Sequence, residues 1–180
     1  MLTVNSLAGV GNVTTDTPLV LTSIYNMALT SASVNMASRT AVLLTPIVIT
    51  GYNRFRVTVQ SGSVQETFSA GYLGQKTGTY SFAATPTQIT WNGLGSVVVP
   101  ANSTATSDII SFTPSGTGTL CMAFNLGADA TINARRDNNA TGYAFYFKTG
   151  ADASTVSKTG YTAAGTNRQM FVSLVEAGVA

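Results

Sequence analysis

At 180 residues with 44% hydrophobic content, the chain is long enough to bury one core, and its length gives no reason to divide it. Only 9% of residues are charged, nine Lys and Arg against seven Asp and Glu, so the net charge of +2 excludes both a charge-rich disordered tail and a nucleic-acid partner held through many phosphates. With no histidine and one cysteine, Cys121, the Ser-His-Asp and Cys-His nucleophiles, most zinc sites and any intrachain disulfide are excluded, and no catalytic residue, metal or cofactor is expected.

Residues 1–16 are polar and Gly-spotted with scattered apolar positions, and they read as an N-terminal arm or attachment segment ahead of a single β-sandwich domain over 17–180. The first basic residue is Arg39, so no export signal is expected. The longest apolar stretch, 41–44 with 47–49, is broken by Thr45 and Pro46 and falls far short of the roughly 20 residues a membrane span needs, which predicts no membrane insertion. Thr, Ser, Ala and Asn with 17 glycines favour strands joined by turns. In chain order the expected strands are 18–24, 34–44, 47–50, 54–60, 65–72, 89–91, 96–99, 107–112, 119–126, 131–136, 143–148 and 170–176.

Three of these carry the clearest alternation. Phe55, Val57 and Val59 should face a core while Arg54, Arg56, Thr58 and Gln60 face water. Leu120, Met122, Phe124 and Leu126 form a second set, with Cys121 and Ala123 on a reverse face, and Tyr143, Phe145 and Phe147 form a third, so each reads as a half-buried strand. Turn signals at Ser61-Gly62, Asn92-Gly93, Pro114-Ser115-Gly116 and Asn138-Asn139 separate them. Many short strands, and no window with a sustained helical period, predict an all-β, antiparallel two-sheet β-sandwich, jelly-roll-like, with a closed barrel as second choice. The recurrence of Gly127-Ala128-Asp129-Ala130 as Gly150-Ala151-Asp152-Ala153 is read as a coincidence of turn chemistry, since a repeat architecture needs a sustained period.

The segments Gly51 with Asn53-Arg54-Phe55-Arg56-Val57, Ile89-Thr90-Trp91-Asn92-Gly93, Ser96-Val97-Val98-Val99-Pro100-Ala101, Ser107-Asp108-Ile109-Ile110-Ser111-Phe112 and the strand 120–126 occur in an order that resembles the accessory β-sandwich domain preceding bacterial SGNH/GDSL-type hydrolases. The resemblance covers under half of the chain and implies a jelly-roll-like sandwich. It carries no hydrolysis, because the Gly-Asp-Ser block and the downstream histidine of the catalytic part are missing from this sequence.

Candidate binding residues are Arg135, Arg136, Asp137, Asn138 and Asn139, a polar cluster suited to an interface rim or to carbohydrate hydroxyls, and Tyr146, which should point outward with Lys148. A calcium loop is disfavoured there because the Asp-x-Asp spacing is absent. Trp91 could stack on a sugar ring, yet it shares a face with Ile89 and reads as core. Tyr72, Tyr80 and Tyr161 lie beside Gly-rich stretches, which fits both recognition and loop anchoring. Asp108 is expected to bond a turn; Arg54 and Arg56, at i and i+2 on one strand face, could meet an acidic partner, but read first as an outer-face ladder with Thr58 and Gln60. The sequons at Asn12, Asn102 and Asn139 are expected by chance in so Asn- and Thr-rich a chain.

The expected role is a non-enzymatic structural or adhesive module on a particle surface, with a bacteriophage capsid decoration, head fibre or tail component as the leading case. Composition similar to that of phage structural proteins, cytoplasmic assembly without a leader and a free cysteine all fit it. The alternative is an extracellular carbohydrate-binding accessory domain. Expected partners are copies of itself and other virion proteins, with a cell-surface glycan under the alternative. Self-association follows from weak charge repulsion and from the few lysines, Lys76, Lys148 and Lys158, that could guard sheet edges.

Overall fold

The computed structural model describes residues 19–26, 29, 36–128, 136–137, 142–166 and 169–180. The strands are β1 (Thr22–Asn26), β2 (Arg39–Val48), β3 (Arg54–Gln60), β4 (Glu66–Thr77), β5 (Ser81–Phe82), β6 (Thr87–Ile89), β7 (Val97–Val99) and β8 (Thr104–Thr106). After them come β9 (Ile110–Ser111), β10 (Thr119–Leu126), β11 (Arg136–Asp137), β12 (Ala144–Thr149), β13 (Thr162–Thr166), β14 (Gln169–Met170) and β15 (Val172–Gly178). Among the described residues there is no helix. The expected arm, 1–16, lies outside them.

One sheet runs β1-β15-β3-β8, with β9 also on β3; the other runs β13-β12-β2-β10-β4-β5, with β6 and β7 also on β4. If β6 and β7 are taken as one interrupted strand, and β8 and β9 as another, the first sheet pairs positions one, eight, three and six, and the second pairs two, seven, four and five. That is the order of a jelly roll, and it agrees with the expected fold class. Strands β12 and β13 extend the second sheet beyond β2, between the seventh and eighth positions of the roll.

The interior between the sheets is built by the alternation read from sequence. Phe55, Val57 and Val59 on β3 and Val172, Val175 and Ala177 on β15 meet Leu120, Met122 and Phe124 on β10 and Leu43, Phe68, Leu73 and Phe145 opposite, all without solvent exposure. Phe171 sits at the centre, with ring centroids 5.3 Å from Phe68 and from Phe124 and 6.4 Å from Phe145. Trp91 is buried in this same core, as its pairing with Ile89 implies.

Thr58, expected toward water, is buried with its hydroxyl against that of Thr106, and β13 has no counterpart among the expected strands. Three further details depart from the sequence reading. β2 is continuous through Pro46, where two strands were expected. Three residues of β2 oppose one of β10, since Thr119 pairs with Val48 and Cys121 with Leu44, and this bulge lets the chain pass a residue with no N–H. Thr45 Oγ1 donates to the Leu120 carbonyl and so fills the gap in the ladder. The expected strand over 170–176 is broken at Phe171, which has φ 44°. Finally, β10 is covered on both faces, because Cys121 and Ala123 are as fully buried as Phe124. A second apolar layer of Val42, Leu44, Phe82, Cys121, Ala123 and Ala153 lies on the outside of the large sheet.

The Asn92-Gly93 turn is a two-residue hairpin, with φ 51° and 76° and reciprocal backbone bonds between Trp91 and Leu94. Asp108 braces it, accepting from the Gly93 N–H at 2.8 Å, the Asn92 N–H at 3.0 Å and the Thr90 hydroxyl at 2.7 Å. The Gly93 N–H, then Thr90, hold the Asp108 carboxyl below its ordinary 3.8. A group with a depressed folded pKa contributes stability above its unfolded value and loses it as pH falls through the folded one. Asp108→Ala should therefore lower the melting temperature at neutral pH, and the gap from wild type should close on acidification below 3.8. Melting curves across that range check this; a gap that widens in acid overturns it.

Candidate recognition surface

The second apolar layer arises because β2, β10 and β12 carry apolar side chains at both alternations, so the outer face of the large sheet also has to be covered. The cover comes from the 150–161 segment and the turn that follows β4. Phe82 N–H donates to the Val156 carbonyl and Lys158 N–H to the Ser81 hydroxyl, which joins the two pieces. Lys158 is itself almost fully buried. Its Nζ donates to the carbonyls of Asp152, Ala153 and Thr155 at 2.7, 3.0 and 2.6 Å and lies 4.9 Å over the Phe82 ring. Burial pulls its pKa down to about 8, against the opposing charge of Asp152.

Where this cover ends, three half-buried tyrosines meet. Tyr80, from the turn after β4, has its ring 5.3 Å from Tyr146 on β12 and 5.2 Å from Tyr161 just before β13. Tyr72 on β4 packs against the same layer. Asp152 Oδ2 accepts from the Tyr161 hydroxyl at 3.1 Å and from Lys148 Nζ at 3.3 Å, and Lys148 stands 5.8 Å over the Tyr161 ring. Burial, then the charge of Asp152, pushes the Tyr161 phenol up, so it stays a neutral donor. For Asp152, burial acts upward, but bonds from Thr155, Tyr161 and Lys148 outweigh it and hold the carboxyl ionised and low. The result is an aromatic patch with one fixed hydroxyl, that of Tyr161, and a rim charge pair, the mix that serves recognition surfaces because tyrosine offers apolar area and a polar tip at small entropy cost.

The sequence candidates divide accordingly. Tyr146 does lie on the outer face with Lys148, but Tyr80 and the neighbouring cover leave it half-buried rather than free-standing. Tyr80 and Tyr161, chosen one by one, come together with it, while Tyr72 packs on the same layer from β4, and nothing in their spacing along the chain signals this. Arg135, Asn138 and Asn139 lie outside the described residues. Of that cluster only the Arg136 and Asp137 backbones are placed, in a two-residue ladder with β14. Arg56 pairs with Glu176 across β3 and β15 at 2.7 Å, a cross-strand ion pair, whereas Thr58 of the expected ladder is buried.

Other reactive groups are committed to structure. Burial pushes the Cys121 thiol up to about 12, far from the range of a nucleophilic thiolate. Cys121 should resist a thiol reagent at pH 8 in the folded protein and react at once in denaturant; fast labelling of the native chain would contradict its burial. Glu66 Oε1 accepts the Gly62 N–H inside the fold. Among the described residues no three His, Cys, Asp or Glu side chains gather into a metal-binding group.

No protein-family model and no curated protein matches the chain.

Proposed function

We propose that this is a non-enzymatic structural or adhesive module displayed on a particle surface, with a bacteriophage virion protein as its leading form. The observation that carries the reading is the tyrosine patch of Tyr80, Tyr146 and Tyr161, built on a rigid face of a jelly roll and locked by Lys158 and Asp152. A sandwich of this order is widely used where copies pack into shells or project from them, and the link from fold to role is one of analogy. The described carboxylates Glu66, Asp108, Asp152 and Glu176 each hold a structural contact, which is the pattern of a scaffold. Weak charge and the edge strands β1 and β13, each with one neighbour among the described residues, favour self-association.

Light scattering on the purified chain tests this, followed by sedimentation with the particle encoded beside its gene. An oligomer, or retention on the particle that Tyr146→Ala weakens, supports the reading. A monomer that ignores the particle overturns it. The same patch favours a second reading, a carbohydrate-binding accessory domain, through tyrosine rings that could stack on sugar faces. Retention on a glycan column by a monomer would promote it.

A further inference from the structure

The tip of the hairpin between Trp91 and Leu94 carries Asn92-Gly93, the only Asn-Gly pair in the sequence. Both residues are exposed, and a Cβ built at Gly93 would meet nothing within 4 Å, so no other part of the chain crowds the peptide that joins them. The Gly93 main-chain nitrogen and the side-chain amide carbon of Asn92 are the two atoms that close a five-membered succinimide ring. An Asn-Gly pair is especially prone to this intramolecular reaction, because glycine puts no Cβ in the way of the approach.

Asp108 stands on that nitrogen. Its Oδ2 accepts the Gly93 N–H at 2.8 Å and the Thr90 hydroxyl at 2.7 Å, and its Oδ1 accepts the Asn92 N–H at 3.0 Å. The Asp108 N–H donates in turn to the Thr90 carbonyl at 2.8 Å, which anchors the acid to the strand that leads into the hairpin. The carboxyl is held below its ordinary 3.8 by the Gly93 N–H and then Thr90, so it is ionised at neutral pH. Two effects then oppose ring closure. The nucleophile is the deprotonated amide, and an anion at 2.8 Å disfavours a second negative charge on Gly93 N. In the ring the same nitrogen carries no hydrogen, so closure also forfeits the bond to Oδ2. The reciprocal Trp91 and Leu94 bonds hold the turn around it.

We infer that Asn92 is a self-modification site, closing through the Gly93 nitrogen to a succinimide, and that Asp108 is the residue that restrains it. Hydroxide removes the Gly93 N–H proton, the nitrogen attacks Cγ of Asn92, and the bond from Cγ to Nδ2 breaks as Nδ2 takes a proton from water and leaves as ammonia. Water then opens the ring. Attack at Cγ gives an aspartate at position 92, and attack at the main-chain carbonyl carbon gives an isoaspartate, whose main chain runs through Cβ and Cγ and is one carbon longer. Either product adds a carboxylate at a tip flanked by the exposed side chains of Leu94 and of Ile109, next in the chain to Asp108. The longer product cannot keep both bonds between Trp91 and Leu94. The site shares no residue with the tyrosine patch, and its outcome does not bear on assembly.

Peptide mass spectrometry of protein kept at mildly alkaline pH tests this by counting the amide-to-acid mass gain at Asn92. Each variant is held below its own melting transition, with its fold read from the emission of Trp91, the only tryptophan and a buried one. Conversion should be slow in the folded wild type. Asp108→Asn, which keeps the shape and removes the charge, should speed it by about tenfold, the factor that one hydrogen bond to a charged group is worth. Thr90→Val keeps both N–H bonds and removes only the hydroxyl, so its rate should fall between the two. If Asp108→Asn does not fold, Thr90→Val against wild type carries the comparison. In urea all three should convert at one common rate, above that of the folded wild type, and Trp91 emission of the folded protein should move to the red as isoaspartate accumulates. Equal rates in the folded wild type and its folded variants, or no acceleration of the wild type in urea, would overturn the restraint. No mass gain at Asn92 even in urea would overturn the site.

Discussion

Phe171→Ala is expected to destabilise the protein by about 3–5 kcal/mol, the range for emptying a large aromatic site in a core. The ring stands within 5.3 Å of Phe68 and Phe124 and is fully buried, so its removal opens a void that three rings line rather than one. The backbone adds a second, opposite effect. At φ 44° a residue with a Cβ is strained by about 1–2 kcal/mol, and glycine is not. In an ordinary strand glycine is worse than alanine by roughly 0.5–1 kcal/mol. Here Phe171→Gly should be no worse than Phe171→Ala, and up to about 1 kcal/mol better. Urea denaturation of the two variants decides it; a glycine variant clearly less stable than the alanine one would mean that the backbone at 171 is not strained. The Gln60 N–H donates to the Phe171 carbonyl at 2.6 Å, which ties the left-handed residue to β3 and explains how the conformation is held.

Much of this core was legible because period two survives in the sequence wherever large apolar side chains fall on one alternation only. The Phe55-Val57-Val59 and Leu120-Met122-Phe124 sets, the burial of Trp91 and the bracing role of Asp108 all follow from local pattern and turn chemistry. Legibility fails where the structure depends on contacts distant in sequence. Thr162–Thr166 is a strand made of Thr, Ala and Gly with no alternation, defined only by its pairing with β12. Pro46 suggested a strand end, and the bulge opposite Leu120 removed the reason for one. Cys121 and Ala123 are small enough to pass for a polar-tolerant reverse face, and their burial depends on Phe82 and Ala153 arriving from elsewhere in the chain.

The candidate site was legible only as separate parts. Tyr146 could be placed on an outer face by elimination, since Phe145 and Phe147 claim the inner one, but its partners come from a turn after β4 and from the 150–161 segment. Gly127 and Gly150, the first residues of the recurring turns, had no visible link in sequence. Their meeting across Ser38 depends on β10 and β12 both flanking β2, a fact of sheet order.

Lys158→Met is expected to cost about 2–3 kcal/mol, a figure set by losing charge-assisted bonds to three carbonyls and offset in part by no longer burying an ammonium. Methionine keeps the length and the contact with Phe82, so the loss reports on the hydrogen bonds rather than on packing. The three carbonyls belong to Asp152, Ala153 and Thr155, and Asp152 also holds the Tyr161 hydroxyl. Loosening this turn should therefore free Tyr161 from Tyr80 and open the patch before the sandwich unfolds. Limited proteolysis should cut the variant within 150–161 while β2, β4 and β10 stay protected, and Cys121 beneath the cover should become reactive under native conditions. Lys158→Arg offers a control: it keeps the charge but its wider planar head cannot place three donors on one point, so its stability should fall between methionine and wild type. If methionine at 158 changed stability by less than about 0.5 kcal/mol and left Cys121 closed to reagents, the cover would be held by apolar packing of Ala153 and Val156 alone, and the lysine would have no part in building the surface.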